Sequence, residues 1–260
     1  MAKAKSAPII ENEHVKELLA IMSKNNIPGK KDILTLIGQI GTIERQLEAA
    51  VNELAAMRRD IVQAQAQNHP IQTTLKNTCI TMQGQVLNLR DKLAELKQNF
   101  IDGCKNAADA FKGKGISALD SIAKFFNIKP ALESFRSELD KCIQFDDRAI
   151  AKIEAISTEY HEAGRHLKNI GRTIVDKELI QEAKPMGKVA KAFAAPYRAE
   201  RKCFVAMKNC TEKAIGCFSR LEERADKPSI KGTIQQFNDQ ITQANKDVPV
   251  PERSIAHDSR

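Results

Sequence analysis

The stretch DILTLIGQIGTIERQLEAAVNELAAMRRDIVQA, Asp32 to Ala64, decides how the rest of the chain is read. Its apolar residues fall at Leu36, Ile40, Ile43, Leu47, Ala50, Leu54, Met57, Ile61 and Ala64, in steps that alternate between four and three. A helix advances about 100° per residue, so steps of four and three return to one face, and their strict alternation keeps that face along a single seam. A strand would show a period of two. The run predicts a long helix with Asp32 as its N-cap and an apolar seam turned to a partner helix.

The same pattern recurs on both sides of it. Asn68-His69-Pro70 ends the first run, because proline disfavours helix in the residue before it and suits the first turn of a new helix. A second run follows at Leu75, Cys79, Met82, Val86, Leu89, Leu93, Leu96 and Phe100. Each arm spans about 50 Å at 1.5 Å per residue, and so short a connection folds the two back antiparallel. Upstream, a short helix of roughly Glu11 to Lys24 stops before the turn residues Asn25-Asn26-Ile27-Pro28-Gly29. Downstream, Gly103, Gly113 and Gly115 read as helix interruptions, with Phe111, Ile116, Leu119, Ile122, Phe125 and Phe126 on an amphipathic connector packed across the hairpins.

Pro130 opens a third run, at Leu132, Phe135, Leu139, Cys142, Asp146, Ala149, Ile153, Ile156, Tyr160, Ala163, Leu167, Ile170 and Ile174. Asp146 is its charged member, read as a kink, a break or a polar residue that fixes register. After a polar stretch from Asp176 to Lys184, a fourth run pairs with the third through Met186, Val189, Phe193, Pro196, Cys203, Met207, Cys210, Ala214, Cys217 and Leu221. Glu200 occupies one seam position there, and Pro196 is expected to bend or split the helix. Past Lys227-Pro228 the chain turns polar, with at most a short helix around Ile230 to Ala244 and a disordered charged tail.

These runs predict an all-α fold of long heptad-patterned helices, forming antiparallel coiled-coil hairpins or an elongated helical bundle. The expected organisation is a short N-terminal helix and linker (1–30), a coiled-coil hairpin (31–102), a helical connector (103–129), a second hairpin with a basic tip (130–226) and a polar tail (227–260). Composition agrees: there is no tryptophan and aromatics are 5% of residues, which suits Leu, Ile and Ala stripes better than a globule built on large rings. The basic start, Met1 to Ser6, precedes no apolar stretch long enough for a signal peptide. Nothing approaches the roughly 18–20 apolar residues of a membrane span, so a cytoplasmic protein away from membranes is expected.

Few residues suggest chemistry. His161-Glu162-Ala163-Gly164-Arg165-His166 superficially resembles the zincin motif, but that motif needs histidines four apart. Here they are five apart, about 140° around a helix, so they do not face one metal; Glu162 instead lies four before His166 and can contact it. Gly113-Lys114-Gly115-Ile116-Ser117-Ala118 fits a loose dinucleotide fingerprint without the strand that motif requires. No Cys-x-x-Cys pair occurs, and Cys203, Cys210 and Cys217, seven apart, read as small reduced members of one seam. No catalytic set, metal, cofactor or small-molecule substrate is indicated, so an enzyme is not expected.

Charge is distributed unevenly. Residues 163–204 carry ten Lys or Arg against four Asp or Glu, whereas residues 130–162 carry four against eight. Arg165, Lys168 and Arg172 form one helical stripe, and Lys184, Lys188, Lys191, Arg198 and Lys202 another. If the two helices turn back between them, the stripes meet as a tip that contacts phosphates or an acidic partner. The plainer alternative is that they flank the seam, stems over the core and charges in water.

Gln67-Asn68-His69-Pro70, Gly103-Cys104-Lys105-Asn106, Lys114-Gly115-Ile116 through Phe125-Phe126, Tyr160-His161 through Gly164-Arg165-His166-Leu167-Lys168-Asn169, and Ala195-Pro196-Tyr197 carry a resemblance. Over about residues 11–225 the chain resembles a family of uncharacterised proteins, a domain of unknown function, of Gram-positive gut bacteria near integrative and conjugative elements. The resemblance implies a setting, that of a mobile-element accessory protein, and transfers no catalytic or binding residue. The functional expectation is a non-enzymatic interaction or scaffold protein, joined through helical surfaces to a protein partner or to another copy of itself. The alternative is a nucleic-acid-binding accessory factor using the basic region 163–204.

Overall fold

The computed structural model describes residues 8–63, 70–182 and 186–226. The corner at residues 64–69, Lys184 and everything after Asp226, including the short helix and tail expected there, lie outside the described residues. The described chain is an all-α bundle: α1 (Glu13–Lys24), α2 (Lys30–Gln63), α3 (Pro70–Lys114), α4 (Lys129–Ile174) and α5 (Lys188–Asp226), with no strand.

Local chemistry sets the helix ends. A single 3-10 turn, Ile9–Glu11, precedes α1, and Asn12 caps the helix by accepting from the His14 amide at 3.0 Å. Asn26, at φ +49°, ends α1 in a Schellman turn: the Ile27 amide donates to the Met22 carbonyl and the Asn26 amide to that of Ser23. Met22 and Ile27 are both buried, which is the apolar contact that accompanies this motif. Gly29 follows at φ +94°, and a Cβ there would sit 2.9 Å from Leu221 Cδ2, so both the turn and the closeness of α5 require glycine. Helix α2 therefore starts at Lys30, and Asp32 is not its N-cap. Instead its buried carboxylate joins α2 to the far end of α5, 2.9 Å from Arg224 Nη1 and 3.3 Å from Arg220 Nε.

Cross-links between helices show how the four long ones are arranged. Lys97 pairs with Glu44 (α3 to α2), and Asn88 and Lys92 donate to Glu138 and Ser134 (α3 to α4). Lys208, Arg201 and Arg198 pair with Asp140, Asp147 and Glu154 (α5 to α4). Along each helix the partner's residue number falls as its own rises, so α3, α4 and α5 alternate in direction, and the Asp32 link brings α5 back to α2. The result is a closed up-down-up-down square with a main core and a smaller cluster of Leu54, Met57, Cys79, Met82 and Tyr197, in which the two hairpins share α5's interfaces and do not extend as separate arms. The most extensive interface of α5 is with α2, ahead of α4. The expected seam of α5 holds at Met207, Ala214, Cys217 and Leu221, but Ala194, Tyr197, Phe204, Thr211 and Phe218 are buried as well. A helix facing two neighbours needs this wider face, which a single-seam reading does not contain.

Three expected interruptions, at Gly103, Gly113 and Pro196, do not break a helix, whereas Gly115, at φ +69°, follows the end of α3. Helix α3 runs through Gly103 and Gly113 to Lys114, and the 3-10 turns Ile116–Leu119 and Ile122–Phe125 follow it. At Gly103 the missing side chain makes room for the Phe126 ring, since a Cβ would fall 2.3 Å from Phe126 Cδ1. Phe126 also lies 5.3 Å, centroid to centroid, from Phe100. That glycine is a packing residue and does not interrupt the helix. Pro196 likewise leaves α5 unbroken from Lys188 to Asp226.

A projecting apolar seam and a buried acid pair

The seam of α4 divides in two. Leu132, Phe135, Leu139, Cys142 and Asp146 are fully buried, whereas Ile156, Tyr160, Leu167, Ile170 and Ile174 are 60–79% exposed. Length explains the difference. Continuing the Lys92–Ser134 register up α3 reaches Ile156 at Pro70, where α3 begins, and α5 starts at Lys188, beside Ser157: the Gly187 amide donates to Ser157 Oγ at 3.4 Å. Beyond this level α4 continues to Ile174, about 26 Å at 1.5 Å per residue, without a described helix on its seam.

The returning chain covers a different face. Asp176, at φ +55°, turns it back. Asn169 then holds it like a neighbouring strand, its Nδ2 donating to the Ile180 carbonyl at 3.0 Å and its Oδ1 accepting from the Ile180 amide at 2.8 Å. Arg172 Nε donates to the Glu178 carbonyl, and the Lys177 amide to that of Arg172. Gly187 packs close to the His161 ring. These contacts fall on Ser157, His161, Asn169 and Arg172, and among the described residues the Ile156–Ile174 stripe stays open.

The candidate basic residues are distributed over this region and beyond it. Arg165, half-buried, donates to Glu162 at 3.1 Å, and Glu162 also lies 3.8 Å from His166 as their four-residue spacing suggests. Arg172 is tied to the return segment, Lys168 is exposed on the projection, and Lys188 and Lys191 are exposed at its root. Arg198, paired with Glu154 at 2.7 Å, and Lys202, exposed, sit lower on the bundle wall. Lys188 to Lys202 spans about 21 Å along α5, so the structure brings Arg165, Lys168, Arg172, Lys188 and Lys191 towards the projection and leaves Arg198 and Lys202 apart.

Below the projection, the bundle interior holds two carboxyl groups. Asp146 of α4 is fully buried and Glu200 of α5 is 2% exposed, and no carboxyl oxygen of either has a hydrogen-bond partner among the described residues. Burial pushes both acids up to about 8; the charge of Asp147 adds to the effect at Asp146 against the opposing Arg201, and that of Asp146 adds to it at Glu200. At neutral pH both are mostly protonated, the state in which a buried carboxyl costs least. Nearby, Tyr197 Oη and Thr78 Oγ1 are hydrogen-bonded at 2.7 Å, and Glu200, Pro196, Met57 and Met82 line a cavity of about 10 Å³, on the scale of one water. Asp146 thus does not break α4, which runs on to Ile174. Sequence reading marked both acids as seam residues but did not connect them, because the link needs the register between α4 and α5.

Together these features define an all-α four-helix bundle protein from which one helix continues with its apolar seam uncovered. Residues 11–255 match a family of unknown function, DUF6674, and the chain belongs to that family. No curated protein and no solved structure matches it. No described helix is long and apolar enough to cross a membrane.

Proposed function

We propose that the protein is a non-enzymatic interaction or scaffold protein, acting in the cytoplasm as an accessory of a bacterial mobile element, and that the projecting part of α4 is its docking surface. The observation that carries this is the exposure, from Ile156 to Ile174, of a seam that is buried from Leu132 to Asp146 inside the bundle and part-buried at Ala149 and Ile153. Each large apolar side chain left in water forgoes about 1.5–3 kcal/mol of burial, and contiguous exposed apolar surface marks interaction sites. The expected outcome is that a photo-crosslinking residue at Leu167 or Ile170, placed in the full chain in its host, forms adducts that the same residue at exposed bundle positions such as Lys141 does not. Equal labelling at both positions overturns the reading.

A second reading, contact with nucleic acid, is favoured by Lys168, Lys188 and Lys191, which are exposed near the projection and form no ion pair with a described residue. Replacing all three with Glu is expected to abolish a low-salt shift of DNA or RNA. The absence of any shift by the unaltered chain ends this reading.

A further inference from the structure

Given that the α4 seam is a docking surface, we propose that its occupant is the same seam of a second copy, laid antiparallel across a two-fold axis near residue 165. Three properties of the projection select this partner.

The first is register. In an antiparallel pair each a position meets a d position, and reflection about residue 165 sets Ile156 against Ile174, Tyr160 against Ile170 and Ala163 against Leu167 of the second copy. Every layer is apolar, and no seam residue is left unmatched.

Charge gives the second. Residues 153–162 contain Glu154, Glu159 and Glu162 and no Lys or Arg, whereas residues 163–174 contain Arg165, Lys168 and Arg172 and no Asp or Glu. Antiparallel pairing lays the acidic half of each helix along the basic half of the other, and parallel pairing sets like on like. Some of these groups already have partners within the chain, Glu162 with Arg165 and Glu154 with Arg198, so the complementarity belongs to the two halves and is not a set of single bridges.

Extent gives the third. The overlap ends with Ile174 against Ile156, the level at which the bundle begins, so each tip reaches the partner's bundle and the whole open stripe is covered. Gly164 and Gly171, seven apart beside the stripe, face open space, so no side chain there holds two helices apart.

Sedimentation equilibrium of the full chain tests the proposal. A concentration-dependent dimer is expected. Leu167→Glu with Ile170→Glu should make the protein monomeric, while its thermal melting, followed by circular dichroism at concentrations low enough to keep the unaltered chain monomeric too, is unchanged, because both residues are exposed. Tyr160→Lys is a second, single disruption in the same stripe. Orientation is read by charge exchange: Lys168→Glu with Arg172→Glu should weaken the dimer about tenfold, and adding Glu159→Lys and Glu162→Lys should restore it to within about threefold. An unaltered chain that stays monomeric at about 100 μM, a dimer indifferent to the stripe variants, or a charge exchange that fails to restore association overturns antiparallel self-pairing. A monomer that still crosslinks in the host through Leu167 to a different protein overturns this inference and leaves the docking surface standing; a monomer without such adducts overturns both.

Discussion

At the scale of single residues, the acids in the core make the protein's stability depend on pH in an unusual direction. Asp146 and Glu200 hold their protons in the folded state up to about pH 8, whereas the unfolded chain releases them near pH 4. Between those values the folded state binds more protons than the unfolded one, so their contribution to stability falls as pH rises from about 4 to 8 and is level beyond. Asp146→Asn with Glu200→Gln, which fixes a neutral shape, is expected to flatten that dependence and so to exceed the unaltered protein by more at pH 8 than at pH 5. Urea titrations at the two pH values measure the difference. Cysteines give a second expectation: burial raises the Cys104 and Cys142 thiols to about 12, so both should resist iodoacetamide at pH 8 until urea unfolds the chain. Mass spectrometry of the alkylated peptides locates the label. Seam spacing placed Asp146 and Glu200 in the core because period alone does that. Their shared environment was hidden, since it is set by how two helices slide past each other.

At the scale of elements, the helices could be read and their ends only partly. A 4-3 pattern repeated over many turns outweighs one weak residue, which is why α2, α3 and α4 were visible without a structure. Asp32 and Gly103 were misread for one reason: each has its role through a distant contact, Asp32 with Arg220 and Arg224 and Gly103 with Phe126. The glycines of α3 accordingly separate in their response to alanine. Gly103→Ala puts a methyl group into the Phe126 ring and should cost about 1–3 kcal/mol. Gly113→Ala meets nothing within 4 Å in a helix and should stabilise by about 0.5–1 kcal/mol. Urea unfolding of the two variants decides the sign of each.

At the scale of the whole molecule, one seam serves two ends. Leu139→Ala, inside the bundle, should cost about 2–5 kcal/mol, while Ile156→Ser, outside it, should change stability of the monomer by less than about 0.5 kcal/mol. Both are read by urea unfolding at protein concentrations low enough to keep the chain monomeric. The third run gave no sign of that division, because exposure depends on where the neighbouring helices stop. The lengths held a clue: α4 outlasts α5 by seven residues and α2 by twelve. Closure of the square and the α2/α5 contact were equally out of reach, since hydrophobic period shows that a helix has an apolar face but not whose face it meets.

The position of α5 in the square also bears on how the chain is born. The helix with the most extensive claim on α2 is the last of the described helices to be made, so α2 leaves the ribosome with that flank bare. At roughly 5–20 residues per second, synthesising the 39 residues of α5 alone takes about 2–8 s. Through that interval α2, α3 and α4 form a three-sided trough with its greasy lining open along its length, the kind of exposed apolar surface that chaperones shield, until α5 arrives.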